Sequence, residues 1–268
     1  MLRLYVDLPD LPIRMPKHET IHIKSPEEIR LLREGGKILH EILHKTAARV
    51  RPGVSTGELN EYAEKLLAER GVEGPFKGYH GFPAALCTSV NEACVHGVPS
   101  YEYFLKEGDI IGLDFGVLYE GLITDSAITV PVGEIGHDLK HLLKTTKHAL
   151  DEAIKVAVVG NHVGMISATV QKIVEQQGYS CVRDLIGHGV GYEIHEAPEV
   201  PNFGNKNDGP ILREGMVIAI EPIVNMSDWK VRTLKDGWTV VSADGSRSAH
   251  FEHSLAITGE GPVVLTAQ

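Results

Sequence analysis

The first part of the chain alternates apolar and polar positions with the period of amphipathic helices. One such segment begins at Ser25, where Glu28 completes a capping box, and continues to about Val50 with regularly spaced leucines on one face. A second segment begins at Ser55 with the same S-x-x-E pattern and ends near Gly71, a residue type common just beyond the end of a helix. The pattern therefore predicts two helices that each bury one face.

From about residue 84 the pattern changes to that of strands. Three segments rich in β-branched residues and separated by turn residues predict strands: CTSVN, DIIGLDFGVL and LITDSAITVPV. Two further helices are predicted over about 139–154 and 163–178, followed by strands over MVIAIEPIV, WTVVS and AHFEHSLAIT. The order helix, helix, strands thus occurs twice. It predicts an α+β domain of two related halves over residues 25–268, with residues 1–24 as an N-terminal extension.

The composition is typical of a folded globular protein, with 268 residues of which 43% are hydrophobic and 23% are charged. A net charge of −10 disfavours a nucleic acid as the primary ligand, because phosphate binding needs clustered cations. No apolar run reaches the roughly 18 residues of a membrane span, and prolines near the N-terminus interrupt any signal-peptide core. Three cysteines without a CxxC pair argue against a disulfide framework. We therefore expect a cytoplasmic protein that does not bind membranes.

Two acidic residues stand in adjacent predicted strands. Asp114 and Asp125 lie on either side of the turn at Tyr119-Glu120-Gly121 and are roughly equidistant from it. We therefore expect them nearly opposite one another, with Cβ atoms about 4.5–5.5 Å apart if they share a face. Two carboxylates this close in an apolar setting repel each other unless a cation neutralises them. Taken alone, the pair also fits one surface aspartate and one turn aspartate.

Three other segments place ionisable residues in otherwise apolar or glycine-rich sequence. Glu221 interrupts the strand MVIAIEPIV, and Glu252 interrupts AHFEHSLAIT. His188 and His195 are seven residues apart in GHGVGYEIHEAP, not four as in a helical zinc motif, which suggests that one binds metal and the other faces substrate. His96 lies in a turn-like context. Four carboxylates with one imidazole suit two divalent ions bridged by carboxylates better than a thiolate-rich structural zinc site.

These residues match, in order and spacing, the metal-ligand set of a known family. The segments that carry the match are YHGFP…CTSVNEACVHGVP, GHGVGYEIHEAP, IEPIVN, LKDGWTV and FEHS. From about Ser25 to Thr258 the chain resembles the type I methionine aminopeptidases, which belong to the pita-bread metallopeptidases. The resemblance implies a pita-bread fold, in which two pseudo-symmetric halves form a curved antiparallel sheet covered by helices.

The resemblance also implies a role for each matching residue. It implies five metal ligands, namely Asp114, Asp125, His188, Glu221 and Glu252. Asp125 and Glu252 would bridge two divalent ions, and the ligand types leave open whether these are Co, Mn, Fe or Zn. His96 and His195 would contact the scissile peptide, while Glu221 would also accept a proton from the attacking water. The methionine pocket would be lined by Tyr79, Phe82, Cys87 and Trp238, although such residues are also typical of ordinary core packing.

The activity implied is metal-dependent removal of the initiator methionine from proteins and peptides. Two divalent ions about 3.5–4 Å apart lower the pKa of a shared water toward neutrality, and the bridging hydroxide attacks the first peptide carbonyl. A small second residue would be preferred. The resemblance further implies a monomer that acts on the N-terminal Met of nascent proteins and contacts the ribosome transiently.

Two alternatives stay open at this point. An Xaa-Pro aminopeptidase or dipeptidase of the same fold would use the same five ligands, but it would usually carry an extra N-terminal domain, and VNEACVHGVP and LKDGWTV favour the methionine enzymes. A non-catalytic scaffold associated with ribosomes or RNA would normally have lost ligands, and all five are present. The sequence departs from the family pattern before Asp125, after Asp114, and at Phe76 and Ile194, so the pocket shape is less well determined than the ligand set.

Overall fold

The computed structural model describes residues 20–268, so residues 1–19 of the predicted N-terminal extension lie outside the described part. The helices there are α1 (Pro26–Ala47), α2 (Thr56–Arg70), α3 (His137–Val156) and α4 (Val163–Gln176). The strands of the first half are β1 (Leu86–Val90), β2 (Ala93–Val95), β3 (Ile110–Tyr119) and β4 (Leu122–Pro131). Those of the second half are β5 (Ser180–Cys181), β6 (Gly187–Gly189), β7 (Glu196–Val200), β8 (Val217–Ile220), β9 (Ile223–Asn225), β10 (Val231–Thr233), β11 (Val240–Ser242), β12 (Ser248–His250), β13 (His253–Thr258) and β14 (Gly261–Val264). The repeated order and the α+β class are as predicted.

Both N-terminal helices begin at the predicted capping boxes. Ser25 and Ser55 each accept a hydrogen bond from the backbone N–H three residues later, and the glutamate at that position accepts one from the serine backbone. Helix α2 ends where Gly71 adopts a left-handed conformation with φ 65°. Helix α1 ends at Ala47, slightly earlier than predicted, and the turn that follows it leads into Pro52-Gly53.

The described strands form antiparallel sheets that join the two halves. One sheet has the order β1-β3-β4, and the largest has the order β14-β13-β8-β6-β7. Two smaller sheets have the orders β10-β11-β2 and β12-β9-β5. Because β2 of the first half pairs with β11 of the second, strand pairing connects the halves directly.

The helices of each half cover one face of a sheet. Leu39 of α1 and Leu66 of α2 pack in a buried cluster with Phe115 of β3, and Leu150 of α3 packs in another with Ile218 of β8. Replacing a buried leucine of this kind by alanine costs about 2–5 kcal/mol. No helix within residues 20–268 is both long and apolar enough to cross a bilayer.

The alternation of side chains along β3 decides where the polar residues point. Ile111, Leu113, Phe115 and Val117 all belong to the cluster beneath α1 and α2. Successive residues of a strand point to opposite faces, so Asp114 points to the face away from these helices. The functional site is on that face.

Candidate metal centre and active site

The hairpin β3–β4 carries the two aspartates in a diagonal arrangement. Asp114 pairs with Ala127, and Asp125 pairs with Gly116, so the expectation that the two aspartates lie nearly opposite one another is wrong by two residues. The reason is the turn: Glu120 and Gly121 both have positive φ, 49° and 80°, and form a two-residue connection centred later than assumed. The aspartates still share a face, and their carboxyl groups are close enough for each to shift the pKa of the other.

The two glutamates lie in breaks between strands rather than within the continuous strands predicted. Strand β8 ends at Ile220 and β9 begins at Ile223, because Pro222 has no N–H to donate to a ladder. Glu252 lies between β12 and β13, where the chain leaves β9 to pair with β8 and β14. Its backbone N–H donates instead to the carbonyl of Ala127 at 2.9 Å. Each glutamate therefore lies just outside a strand. Glu252 adjoins the β3–β4 hairpin, and Glu221 adjoins His188.

The histidines of the glycine-rich segment lie side by side. His188 on β6 and His195, just before β7, pack edge to face with ring centroids 4.5 Å apart. Nδ1 of His188 contacts the carbonyl of Gly189 at 2.9 Å, and Nε2 faces Oε1 of Glu221 at 3.5 Å. Nδ1 of His195 contacts the hydroxyl of Tyr79 at 3.0 Å. Burial lowers the pKa of His188 to about 4 and that of His195 well below its usual range, so both rings are neutral at pH 7.

A single cavity of about 120 Å³ brings all of the predicted site residues together. Those residues are Tyr79, Phe82, Cys87, His96, Asp114, Asp125, His188, His195, Glu221, Trp238 and Glu252. Phe76 and Ile194, where the sequence departs from the family pattern, also line it. The remaining lining comes from Val95, Asp184, Leu185, Ile186 and His250.

One end of the cavity is strongly acidic. Burial raises the pKa of Asp114 above its usual value, and burial together with nearby carboxylates raises the pKa values of Asp125, Glu221 and Glu252 well above theirs. Asp114, Asp125 and Glu252 each keep one buried oxygen without a hydrogen-bond partner. Among the residues described, no Lys or Arg lines the cavity. Since buried carboxylates need a counter-charge or a proton, this end is suited to cations.

Two of these carboxylates, together with His188, have the spacing of metal ligands. One ligand atom from each of Asp125, His188 and Glu252 lies within 4.8 Å of the others, and all three side chains are buried. Carboxylate oxygens with one neutral imidazole fit divalent ions of the Mn, Fe, Co and Zn group. The unpaired oxygens thus have the chemistry and the placement that a divalent ion requires.

The other end of the cavity is apolar. Phe82 and Trp238 pack edge to face with ring centroids 5.2 Å apart. Cys87 on β1 pairs with Asp114 on β3, so this end adjoins the carboxylates directly. Burial and the nearby carboxylates raise the pKa of the Cys87 thiol well above its usual value, so the thiol is neutral and adds to the apolar surface.

His96 enters the cavity from the turn after β2, as the sequence indicated. Its backbone has φ 55°, which is uncommon for a residue with a side chain. The residue is partly buried, and desolvation lowers the pKa of its ring to about 4. Nδ1 has no hydrogen-bond partner in the described chain, so the imidazole is available to a ligand.

His250 is one of the lining residues that the sequence did not assign to the site. It ends β12, two residues before Glu252, and its side chain is 5% exposed. Its position two residues from Glu252 in AHFEHSLAIT is the sequence feature that could have indicated a place in the site. In one continuous strand, alternation would place His250 and Glu252 on the same face. The rule cannot be applied here from the sequence, because the chain changes partner strands between the two residues.

Known proteins share this chain's sequence and fold. The family model of metallopeptidase family M24 matches residues 30–259 of this chain. A methionine aminopeptidase from Clostridium perfringens is 48% identical over 246 residues, which cover 92% of this chain and 98% of the relative. The crystal structure of the Thermotoga maritima methionine aminopeptidase has a TM-score of 0.91 at 42% identity and covers 93% of this chain and 100% of that chain. A Pyrococcus furiosus prolidase has a TM-score of 0.74 at 25% identity, covering 92% of this chain but 65% of the prolidase. These matches confirm the pita-bread fold, and the chain belongs to metallopeptidase family M24, as the methionine aminopeptidases do.

Proposed function

We propose that this chain removes the N-terminal methionine from proteins and peptides. The observation that carries the proposal is that unpaired carboxylates and an aromatic, apolar end share one cavity. The carboxylates attract a free α-amino group, while the apolar end accepts a thioether side chain. Relatives named methionine aminopeptidase, at up to 48% identity, support the same assignment.

The ligands for two divalent ions would be Asp114, Asp125, His188, Glu221 and Glu252. The resemblance to the methionine aminopeptidases makes Asp125 and Glu252 the candidates for bridging ligands, and both belong to one close group of ligand atoms with His188. When bound, such ions supply Lewis acidity that lowers the pKa of water and polarises a carbonyl. The ions would be Co, Mn, Fe or Zn, because this ligand set accepts each of them.

Glu221 is the best-placed group to move the proton of the attacking water. Its Oε1 lies 3.5 Å from Nε2 of His188, and the side chain lines the cavity with the other candidate ligands. A carboxylate beside the ions can take a proton from the attacking water and return it to the leaving amine. Glu221 thus acts in the proton transfer as well as in binding the ions.

His195 and His96 would orient the scissile peptide. When the Tyr79 hydroxyl donates to Nδ1 of His195, the ring proton resides on Nε2 and can be donated to the carbonyl oxygen. His96 is also neutral, and its unpaired Nδ1 can bond the substrate backbone. Neutral imidazoles avoid adding positive charge where the metal ions bind.

The bulky lining of the cavity favours a small second residue. Phe76 and Ile194 line the cavity together with Phe82 and Trp238. Once the apolar end holds the methionine side chain, these side chains limit the room for a bulky neighbour. We therefore expect Met-Ala peptides to be cleaved faster than Met-Leu peptides.

Residues 25–268 would act as one catalytic domain and as a monomer. Both halves of the chain contribute candidate ligands to the same cavity, the first half from β3 and β4 and the second half from β6. No second subunit is therefore needed to complete the cavity. The three buried cysteines Cys87, Cys94 and Cys181 are free thiols, which suits the reducing cytoplasm. In that compartment the substrates would be nascent chains, met through transient contact with the ribosome.

The decisive experiment is hydrolysis of matched peptides by apo protein titrated with each metal ion. We expect Met-Ala-Ser cleavage to appear with metal, to be slower for Met-Leu-Ser, and to be lost for N-acetylated Met-Ala-Ser. Asp125→Asn should bind less metal and lose activity, whereas an exposed substitution such as Glu102→Gln should leave both unchanged.

Two outcomes would contradict the proposal. Cleavage of Ala-Pro peptides without cleavage of Met-Ala peptides would assign the chain to the Xaa-Pro peptidases of the same fold. Absence of bound divalent ions at saturating concentrations would instead indicate a non-catalytic scaffold. Equilibrium dialysis followed by metal analysis separates this second outcome from a mere lack of activity.

A further inference from the structure

His250 has a buried imidazole whose Nε2 makes no hydrogen bond within the described chain. The Thr129 hydroxyl bonds both backbone polar groups of His250. It accepts a hydrogen bond from the His250 N–H at 2.9 Å and donates one to the His250 carbonyl at 2.7 Å. The side chain of His250 is 5% exposed, and Nε2 has no hydrogen-bond partner among the described residues. An unpaired polar atom that is both buried and rigidly held calls for a ligand.

The Nε2 atom of His250 points at two of the candidate metal ligands. It lies 3.6 Å from Oε2 of Glu221 and 3.8 Å from Oε2 of Glu252. These distances exceed the roughly 2.7–3.2 Å of a hydrogen bond. They match the separation of two atoms that bind one ion, since ligands about 2.1 Å from a metal lie roughly 3.4–3.8 Å apart at tetrahedral or wider angles.

His188 provides an internal comparison. Its Nε2 lies 3.5 Å from Oε1 of Glu221, so the two oxygens of one carboxylate each face an imidazole nitrogen at nearly the same distance. Both rings are almost completely buried, with side chains 5% exposed. The arrangement around Glu221 is therefore close to symmetric, with His188 on one side and His250 on the other.

We propose that His250 is a sixth protein ligand of the metal centre and gives it a second imidazole nitrogen. This inference rests on the proposed metal site and extends it. A second nitrogen donor shifts the preference of an oxygen-rich site away from Mn²⁺ and toward Co²⁺, Fe²⁺ and Zn²⁺, which imidazole binds more tightly. His250 would thus help to determine which metal the protein selects.

Proton NMR of the Co²⁺-loaded protein tests this directly, because each coordinated imidazole gives a strongly shifted, exchangeable N–H signal. We expect two such signals in the unaltered protein, one from His188 and one from His250. His250→Gln should remove one signal and lower Co²⁺ affinity by at least about tenfold, as for other residues that support metal binding, with a smaller loss for Mn²⁺. The number of shifted N–H signals in the unaltered protein is measured without any variant, so this test holds even if a variant folds poorly.

His253→Gln is the matched control. His253 lies in the same segment but bonds the Thr266 hydroxyl through Nδ1 at 2.9 Å and does not line the cavity. This variant should keep both signals and the wild-type affinities. A single exchangeable signal in the wild type, or unchanged signals in His250→Gln, would overturn the ligand role of His250 while leaving the metal site intact. Absence of Co²⁺ binding would overturn both proposals.

Discussion

The hydroxyl of Ser254 bonds both backbone polar atoms of Asp125. Ser254 Oγ accepts from the Asp125 N–H at 2.9 Å and donates to the Asp125 carbonyl at 2.7 Å. Beside it, the Ser126 hydroxyl donates to the carbonyl of Glu252 at 2.7 Å. These bonds join β4 to the chain around β13, and they fix the relative positions of the two candidate bridging carboxylates.

Ser254→Ala should therefore weaken both folding and metal binding. It leaves a buried N–H and a buried carbonyl unsatisfied, at a cost of about 1–3 kcal/mol for each group. Metal affinity should fall by roughly 10–100-fold, the range typical of residues behind a metal ligand. Denaturant unfolding of the apo protein and calorimetric metal titration measure the two effects separately.

Ser248→Ala is a suitable control for that prediction. Ser248 is also buried, at 4% exposure, but its hydroxyl contacts the carbonyl of Val224 at 3.4 Å and does not touch Asp125. We expect a smaller loss of stability and unchanged metal affinity. Equal losses of metal affinity in the two variants would contradict a specific role for Ser254.

A buried ion pair links the start of the described chain to the loop that carries His195. The Lys24 ammonium contacts Glu196, and both side chains are at most 3% exposed. The other oxygen of Glu196 accepts the backbone N–H groups of Tyr192 and Glu193, which precede His195. The pair therefore holds the conformation of this loop.

Lys24→Met should destabilise the protein by about 3–5 kcal/mol, because it leaves a buried carboxylate unpaired. Turnover of Met-Ala peptides should fall as well, since His195 loses its support. Arg30→Met is the control: Arg30 pairs with Glu27 and Glu34 at the surface, where such pairs contribute about 0–1 kcal/mol. Equal unfolding free energies for the two variants would show that the buried pair does not order the loop.

Tyr79→Phe should affect turnover more than binding. It removes the hydroxyl that contacts Nδ1 of His195, a bond worth about 0.5–1.5 kcal/mol, so kcat should fall roughly two- to tenfold while KM changes little. Tyr101→Phe removes a hydroxyl from an exposed tyrosine that bonds Glu61 and should change neither constant. An increase in KM alone would indicate that Tyr79 only lines the pocket.

The sequence identified most of the site because its residues break local patterns. Asp114 and Glu221 stand in apolar segments, and His188 stands in a glycine-rich one, so each was visible without knowledge of the fold. The structure places all of the predicted site residues around one cavity. The capping boxes at Ser25 and Ser55 are also short sequence patterns that need no knowledge of the fold, and both helices begin there.

The features that could not be predicted depend on geometry or on distant contacts. The register of Asp114 and Asp125 depends on Glu120 adopting a positive φ, which glutamate rarely does. The bond between Ser254 and Asp125 joins residues 129 positions apart, and no periodicity encodes such a contact. His250 faces Glu221 at the end of β12, where the chain changes sheets, and single-sequence patterns do not show that change.

The stability of the metal-free protein should fall as the pH rises above about 7.5, where the histidines of the unfolded chain are mostly neutral. Burial raises the pKa values of Asp125, Glu221 and Glu252 in the folded state, so folding takes up protons that the unfolded chain has lost. Linkage then lowers the unfolding free energy by about 1.4 kcal/mol per pH unit for each proton taken up. Divalent ions should remove this slope, because they stabilise the ionised carboxylates. Urea unfolding at pH 7.5–8.5, with chelator or with Co²⁺, measures both slopes, and a metal-free stability that rises with pH over this range would contradict the crowding of these carboxylates.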